Sequence, residues 1–374
     1  MQNVLSKHFR RPPRPVLIAL GLVAALAAAV YYWRVVYYLD NRGVPALLLY
    51  GAAAVFVLAA ALAVWAGSKL RSFDAKAALA IVLCGALFCF ANPPLQVPDE
   101  AAHFLRSYSL SQGRLTFDHD RLYPDDVAKL VESFPGAWVA AHTSQGLTYT
   151  EEGEERSYTT AGYALKQRGE NGRVESIADG FAAYFDGEPA KEAVGEPYFF
   201  MTLSMLPQAL GILAARILGF KALGCLYAAR LANLAAYAAL CWLALKNCRR
   251  YKPVFTAFML LPLSLYMAAS VSYDATLLGF YYLVASFYCK DEILDRDIAV
   301  FIVAFLMMNL AKPYISLLWV VLPLVLPRPA WKTRVKKWQL AVGCLVGGLA
   351  LGKLFDWYGT AFRFNYPYVG RQIE

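Results

Sequence analysis

The sequence predicts an all-α polytopic membrane protein, and three observations predict it. Of its 374 residues, 59% are hydrophobic and only 17% charged, against about 25% charged in an ordinary soluble protein. Apolar runs long enough to cross a bilayer recur from residue 15 to residue 356, and only helices or closed barrels satisfy their backbone inside lipid. The charge is also segregated. Residues 93–197 hold 18 acidic and 9 basic side chains, a net of −9, so with +9 overall the remainder carries +18. Most of that excess sits in short clusters between apolar runs, a pattern that reports membrane orientation rather than nucleic-acid binding.

Taken in order, the apolar runs give about nine transmembrane helices: 15–38, 44–66, 77–92, 222–245, 253–270, 275–289, 298–311, 313–327 and 338–356. Residues 1–76 form an accessory helix pair. Its basic start (Lys7, Arg10, Arg11, Arg14) resembles a signal peptide, but the apolar stretch runs on into Tyr31, Tyr32 and Trp33, as a retained anchor with an aromatic belt does. Residues 77–92 lead into a large outer loop, 93–221, and residues 222–356 form the main bundle, followed by an outer tail, 357–374. The outer loop is too long for a plain connection. Its Phe134, Trp138, Tyr149, Tyr158, Tyr163, Phe181, Tyr184 and Phe185 suggest a small α/β or irregular module, and the acidic run from Glu151 to Glu155 reads as a solvated loop.

Orientation follows from the basic clusters. A cytoplasmic N-terminus puts Lys69, Arg71 and Lys76 inside and Pro93 onward outside. If 198–220 crossed the membrane, the clusters at Lys246–Lys252 and Lys332–Lys337 would fall outside, against the positive-inside rule. The stretch, with its internal Pro207, therefore reads as a juxtamembrane or re-entrant helix. The same parity breaks 298–327 at Lys312-Pro313, where proline removes a donor and disfavours helix before it. Four features then converge on the outer face: the Asp99 loop, the segment ending at Phe220, the Ser270–Asp274 turn and the Lys312 turn.

A helix from about 99 to 112 would place Asp99, His103 and Arg106 within about 60° of one another. Ala101, Phe104, Leu105 and Tyr108 would lie opposite, giving an amphipathic helix on the membrane with a wet polar stripe. The competing reading makes Asp99 and Glu100 first-turn acids favoured by the helix dipole, with Arg106 as their partner. Arg230 and Lys312, at outer helix ends, would either face the site or snorkel to the interface. Asp274 would either orient a substrate or cap the next helix. The seven cysteines (Cys84, Cys89, Cys225, Cys241, Cys248, Cys289, Cys344) lie in or beside apolar runs with no Cys-x-x-Cys pair, which argues against a metal or redox site built on them.

The pattern Pro93-Pro94-x-x-x-Pro98-Asp99-Glu100-x-x-His103-Phe104 resembles the first outer loop of integral-membrane glycosyltransferases of the GT-C superfamily. It is most similar to a bacterial multi-spanning family with no assigned function, and its Asp-Glu-x-x-His-Phe portion is also similar to protein O-mannosyltransferases. The resemblance continues through "YFFMTLSMLPQALGILAARILG", "LYAARLANL", "LLPLSLYMAASVSYDA" and "NLAKPYISLLWVVLPLVLP", over roughly residues 77–370. It implies a GT-C-like fold in a bacterial cytoplasmic membrane. The implied reaction moves a hexosyl or pentosyl group from a polyprenyl-phosphate carrier to a glycan or lipid acceptor on the outer face.

On that resemblance Asp99 is the general base of an inverting transfer, with Glu100 in reserve. His103, Arg106 and Asp274 contact the acceptor, and Arg230 and Lys312 hold the lipid phosphate. The resemblance fixes no cofactor and leaves metal dependence open; a divalent cation, Mg2+ or Mn2+, would be held by Asp99, Glu100 and Asp274. Relatives are expected to continue beyond Glu374, so a partner subunit supplying part of the site is a further expectation. Two other classes stand beside the enzyme. A non-catalytic scaffold of an envelope glycan machine would be indifferent to Asp99→Asn. A lipid-linked glycan translocase would carry ionisable residues at mid-membrane depth and internal repeats, whereas these charges gather at helix ends.

Overall fold

The computed structural model describes residues 67–134, 146–151, 154–159, 177–191, 193–248, 251–314, 318, 320–325 and 330–365, with isolated positions 21, 61 and 65. The expected spans 15–38 and 44–66 lie outside the described residues apart from those positions. Two compact units divide the chain: Met1–Leu62 with Lys166–Asp186, and Ala63–Leu165 with Gly187–Glu374. In the first, helix Ile177–Asp186 stacks Phe181 on Phe185 at a ring separation of 6.4 Å.

The second unit is mostly helical. Its elements are α1 (Phe73–Ala91), α2 (Glu100–Ser111), α3 (Asp125–Ser133), the hairpin strands β1 (Gly146–Glu151) and β2 (Glu154–Thr159), α4 (Leu206–Ile217), α5 (Ala222–Asn247), α6 (Lys252–Met259), α7 (Pro262–Ala268), α8 (Asp274–Ser286), α9 (Asp295–Ala311), α10 (Leu322–Val325) and α11 (Lys337–Asn365). The hairpin is antiparallel with Thr148 opposite Ser157, and it occupies the acidic run read above as a loop.

Three described helices are long and apolar enough to cross a membrane: Phe73–Ala91, Ala222–Asn247 and Lys337–Ala361. The other expected spans are shorter. Residues 253–270 form two helices rather than one, because Leu261 precedes Pro262 and is driven to an extended backbone, φ −55° and ψ 139°. The span expected at 275–289 ends its α-helix at Ser286 and tightens into a 3₁₀ turn. Much of 313–327 is outside the described residues.

Contacts give the bundle two ends. At one, Lys252 Nζ meets Asp74 at 2.5 Å, Asn247 Nδ2 donates to Ser286 Oγ at 2.9 Å, and Lys332 N–H donates to Ile293 O at 2.9 Å. The basic clusters collect there. At the other end lie the exit of α1, the starts of α5 and α8, and the end of α9, where Lys312 reaches Asp274 at 2.8 Å. The core between is apolar: Ile81, Leu234, Tyr237, Leu245, Met259 and Leu265 join α1 and α5–α8, and Val284, Phe301, Phe305, Met308 and Cys344 join α8, α9 and α11. Outward positions such as Leu243, Phe258, Leu263, Val303 and Val346 stay exposed, as suits a surface solvated by lipid chains.

Helix α4 does not run the length of this bundle. It begins beside the 271–272 turn, where Gln208 bonds, and Gly219 turns it into the start of α5. Its Gly211 sits so close to Ala228 O that a Cβ would lie 2.5 Å away, so only glycine admits this packing. Pro207 falls in the first turn of α4, where its missing donor costs nothing.

Candidate functional site

The site is built on the loop between α1 and α2. α1 stops at Ala91, and within eight residues the chain passes two left-handed corners, Leu95 (φ 58°) and Asp99 (φ 57°). Non-glycine residues rarely adopt this region, aspartate more readily than most. The Asp99 carbonyl accepts from His103 N–H at 2.9 Å and so starts α2, but its carboxylate makes no capping bond and is exposed. Asp99 thus opens the helix through its backbone alone.

Glu100 points the opposite way. Fully enclosed, its carboxylate accepts from Arg230 Nε at 2.8 Å and Nη2 at 2.6 Å, and from Val271 N–H at 3.1 Å. Arg230, equally enclosed, spends its remaining N–H groups on Cys89 O, Asn92 O and Pro93 O at 2.8–2.9 Å. With every donor committed, Arg230 has none left for a lipid phosphate, and Glu100 is not an accessible reserve base. The structure joins the two residues to each other instead. A lone arginine in an apolar helix predicts a buried partner, and that signal was present in the sequence.

A polar cluster surrounds the 270–274 turn. Asn233 Nδ2 donates to Ser270 O at 2.7 Å and Ser272 O at 2.8 Å, and Gln208 Nε2 to Ser272 O at 3.1 Å. This holds Tyr273 edge-on against the His103 ring at 4.8 Å. Lys312 Nζ lies 5.4 Å from the Tyr273 ring centroid and pairs with Asp274 Oδ1, while Asp274 Oδ2 accepts from Ser272 Oγ at 3.0 Å. Arg106 Nε donates to Tyr198 O at 3.0 Å.

His103 is 5% exposed, and its Nδ1 has no hydrogen-bond partner among the described residues. Burial, then the Arg106 charge and more weakly Lys312, push its pKa down to about 4 against the pull of Asp274. The imidazole is therefore neutral at pH 7. Asp99 acts electrostatically on both Arg106 and Tyr273. Asp99, His103, Arg106, Asp274 and Lys312 thus gather at one end of the bundle; Glu100 and Arg230 lie behind them.

The polar stripe of α2 is wet only at its ends: Asp99 is exposed and Arg106 half-buried, while His103 between them is buried, as are Phe104, Leu105 and Tyr108 opposite, under α4 and the 270–274 turn. The sequence offered no account of Tyr198 or of Glu196. Glu196 is buried, takes a bond from Ser109 Oγ, accepts from Asp118 N–H at 2.8 Å and meets Arg121 at 3.4 Å. It fastens the outer segment to α2.

Asp99, Glu100 and Asp274 do not bring three ligand atoms together, and the Glu100 carboxylate is already taken by Arg230. Among the described residues only Asp118, His119 and Asp120 bring three ligand atoms together, on an exposed loop. Comparison with known proteins matches residues 82–359 to a family described as predicted membrane protein (DUF2142). No curated protein and no solved structure matches.

Proposed function

From the premise that this chain belongs to the DUF2142 family of predicted membrane proteins, we propose that it is a GT-C-type glycosyltransferase. It would move a hexosyl or pentosyl group from a polyprenyl-phosphate donor to a cell-envelope glycan or lipid. The observation that carries this reading is the placement of Asp99: an exposed carboxylate on a left-handed corner, within electrostatic reach of Arg106, at the rim of an apolar bundle.

The chemistry suits those groups. Asp99 takes the proton of an acceptor hydroxyl, whose oxygen attacks C1 of the sugar. The bond from C1 to the phosphate oxygen breaks on the opposite side, with inversion, and the electron pair leaves on the lipid phosphate. A phosphate leaves without protonation, so one carboxylate suffices. Lys312 and Arg106 lie where fixed positive charge would stabilise that phosphate as it departs. Lys312 exchanges one oxyanion, that of Asp274, for another. The basic clusters at the far end of the bundle support an outer-face site in a bacterial cytoplasmic membrane.

The test is a mass-spectrometric profile of envelope glycans and polyprenyl-linked intermediates, wild type against Asp99→Asn at matched protein levels. Loss of one sugar substituent with accumulation of its polyprenyl-phosphate donor is expected. An unchanged profile would sink the transferase reading and leave a scaffold of an envelope glycan machine in its place.

A further inference from the structure

We propose that the Glu100–Arg230 pair is the positioning device of the site: a clasp that closes the loop from Pro93 to Glu100 and thereby sets where Asp99 stands. What Asp99 then does rests on the transferase reading; how it is held does not.

One nitrogen makes the clasp. Arg230 Nη2 donates to Pro93 O at 2.9 Å, at the start of the loop, and to Glu100 Oε2 at 2.6 Å, at its end. The same guanidinium binds Cys89 O and Asn92 O through Nη1, so the loop is pinned to the last turn of α1 as well. Between those ends the chain makes two left-handed corners at non-glycine residues, and the inner one, Leu95, is 1% exposed. Such corners persist only where their surroundings over-determine them. Within the loop the backbone bonds are few: Gln96 N–H to Pro93 O at 3.4 Å and Glu100 N–H to Val97 O at 2.9 Å. Besides the packing of buried Leu95 and Val97, the clasp is the loop's main polar constraint.

The second arm of the clasp reaches the other half of the site. Glu100 Oε1 accepts from Val271 N–H, two residues before Tyr273 and three before Asp274. A single carboxylate thus ties the corner bearing Asp99 to the turn bearing Tyr273 and Asp274. An arginine is needed because no other side chain offers five donors in a fixed fork.

The experiment uses the full chain in lipid nanodiscs, with amide hydrogen exchange over residues 94–104 and 271–276 alongside glycan profiling and transfer kinetics. Glu100→Gln keeps the shape but loses the charge, and it is expected to raise exchange in both segments by about tenfold or more while α9 and α11 stay protected. Transfer should then fall in kcat with the donor KM unchanged. If Glu100→Gln does not fold, Glu100→Asp shortens the arm, keeps the charge and should give the same local pattern.

A rise spread evenly over the whole bundle, or no rise in the two segments, would overturn the clasp. The two readings fail differently. Glycans unchanged in both Asp99→Asn and Glu100→Gln, with loop exchange raised in the latter, would remove the transferase and keep the clasp. Transfer lost in Asp99→Asn but at wild-type level in Glu100→Gln, with exchange unchanged, would do the reverse.

Discussion

Two ion pairs flank the 270–274 turn, and they are built for opposite purposes. Glu100–Arg230 is completely enclosed, bidentate and saturated with backbone partners. Asp274–Lys312 is a single contact with side chains 22% and 36% exposed. In a low-dielectric interior a charge pair with all its hydrogen bonds made is rigid, and removing one member strands the other. A half-exposed pair contributes little to stability and gives up its partner readily. The first kind builds a site; the second can meet a charged substrate. The difference between them teaches that the residue types most suggestive of chemistry, an acid and an arginine, are not the ones free to perform it.

The comparison breaks most directly at Arg230. Arg230→Ala leaves the Glu100 carboxylate buried with no countercharge and only the Val271 N–H as a donor, and should cost about 3–5 kcal/mol, enough to unfold a marginal protein. Thermal unfolding in detergent reads this, and wild-type stability for the variant would show that the enclosed pair is not structural. Lys312→Ala should cost no more than about 1 kcal/mol while lowering transfer at least about tenfold through the lost charge at the phosphate. If the two variants lost equal stability, the distinction between the pairs would collapse.

The proton economy of His103 sharpens the same contrast. Its folded pKa, about 4, lies below the 6.5 of an ordinary histidine, so the unfolded chain binds the extra proton first. The neutral, buried form is favoured above about pH 6.5, and that contribution is lost as pH falls through the window down to about 4. The charged groups facing it are Arg106, Lys312 and Asp274, with the Tyr273 ring against its face. Unfolding midpoints should therefore fall more steeply between pH 6.5 and 4 for wild type than for His103→Phe. Parallel profiles would mean that the imidazole titrates freely.

Much of this arrangement was legible from hydropathy and charge. Parity of the basic clusters set 198–220 and the break at Lys312-Pro313 at one end, the end where Gln208 bonds the 271–272 turn and Lys312 pairs with Asp274. Periodicity gave α2 to within a residue at each end. It misjudged the middle of the stripe, since His103 between exposed Asp99 and half-buried Arg106 looks wet until α4 and the 270–274 turn cover it. Arg230, in an apolar helix, calls for a buried partner, but nothing in the sequence names Glu100 as that partner. The two are 130 positions apart, and only the fold shows that each is the other's answer. Glu196, one acid among many in an acidic loop, carried no signal at all.

The smallest effect bears on the corner itself. Asp99 sits at φ 57°, where glycine pays no Cβ penalty. Asp99→Gly relieves that strain but widens the unfolded ensemble, and the two terms oppose each other. The net change should be a gain of about 0.5 kcal/mol or less, read as a slightly raised unfolding midpoint. Asp99→Ala keeps the penalty, loses aspartate's tolerance of the region, and should be less stable than either. Both variants remove the carboxylate and should lack transfer. A position where the most stable residue is an inactive one is what a residue kept for its chemistry produces. Should Asp99→Gly instead be markedly less stable than wild type, the carboxylate would hold the corner in place, and its part would be structural, like that of its neighbour.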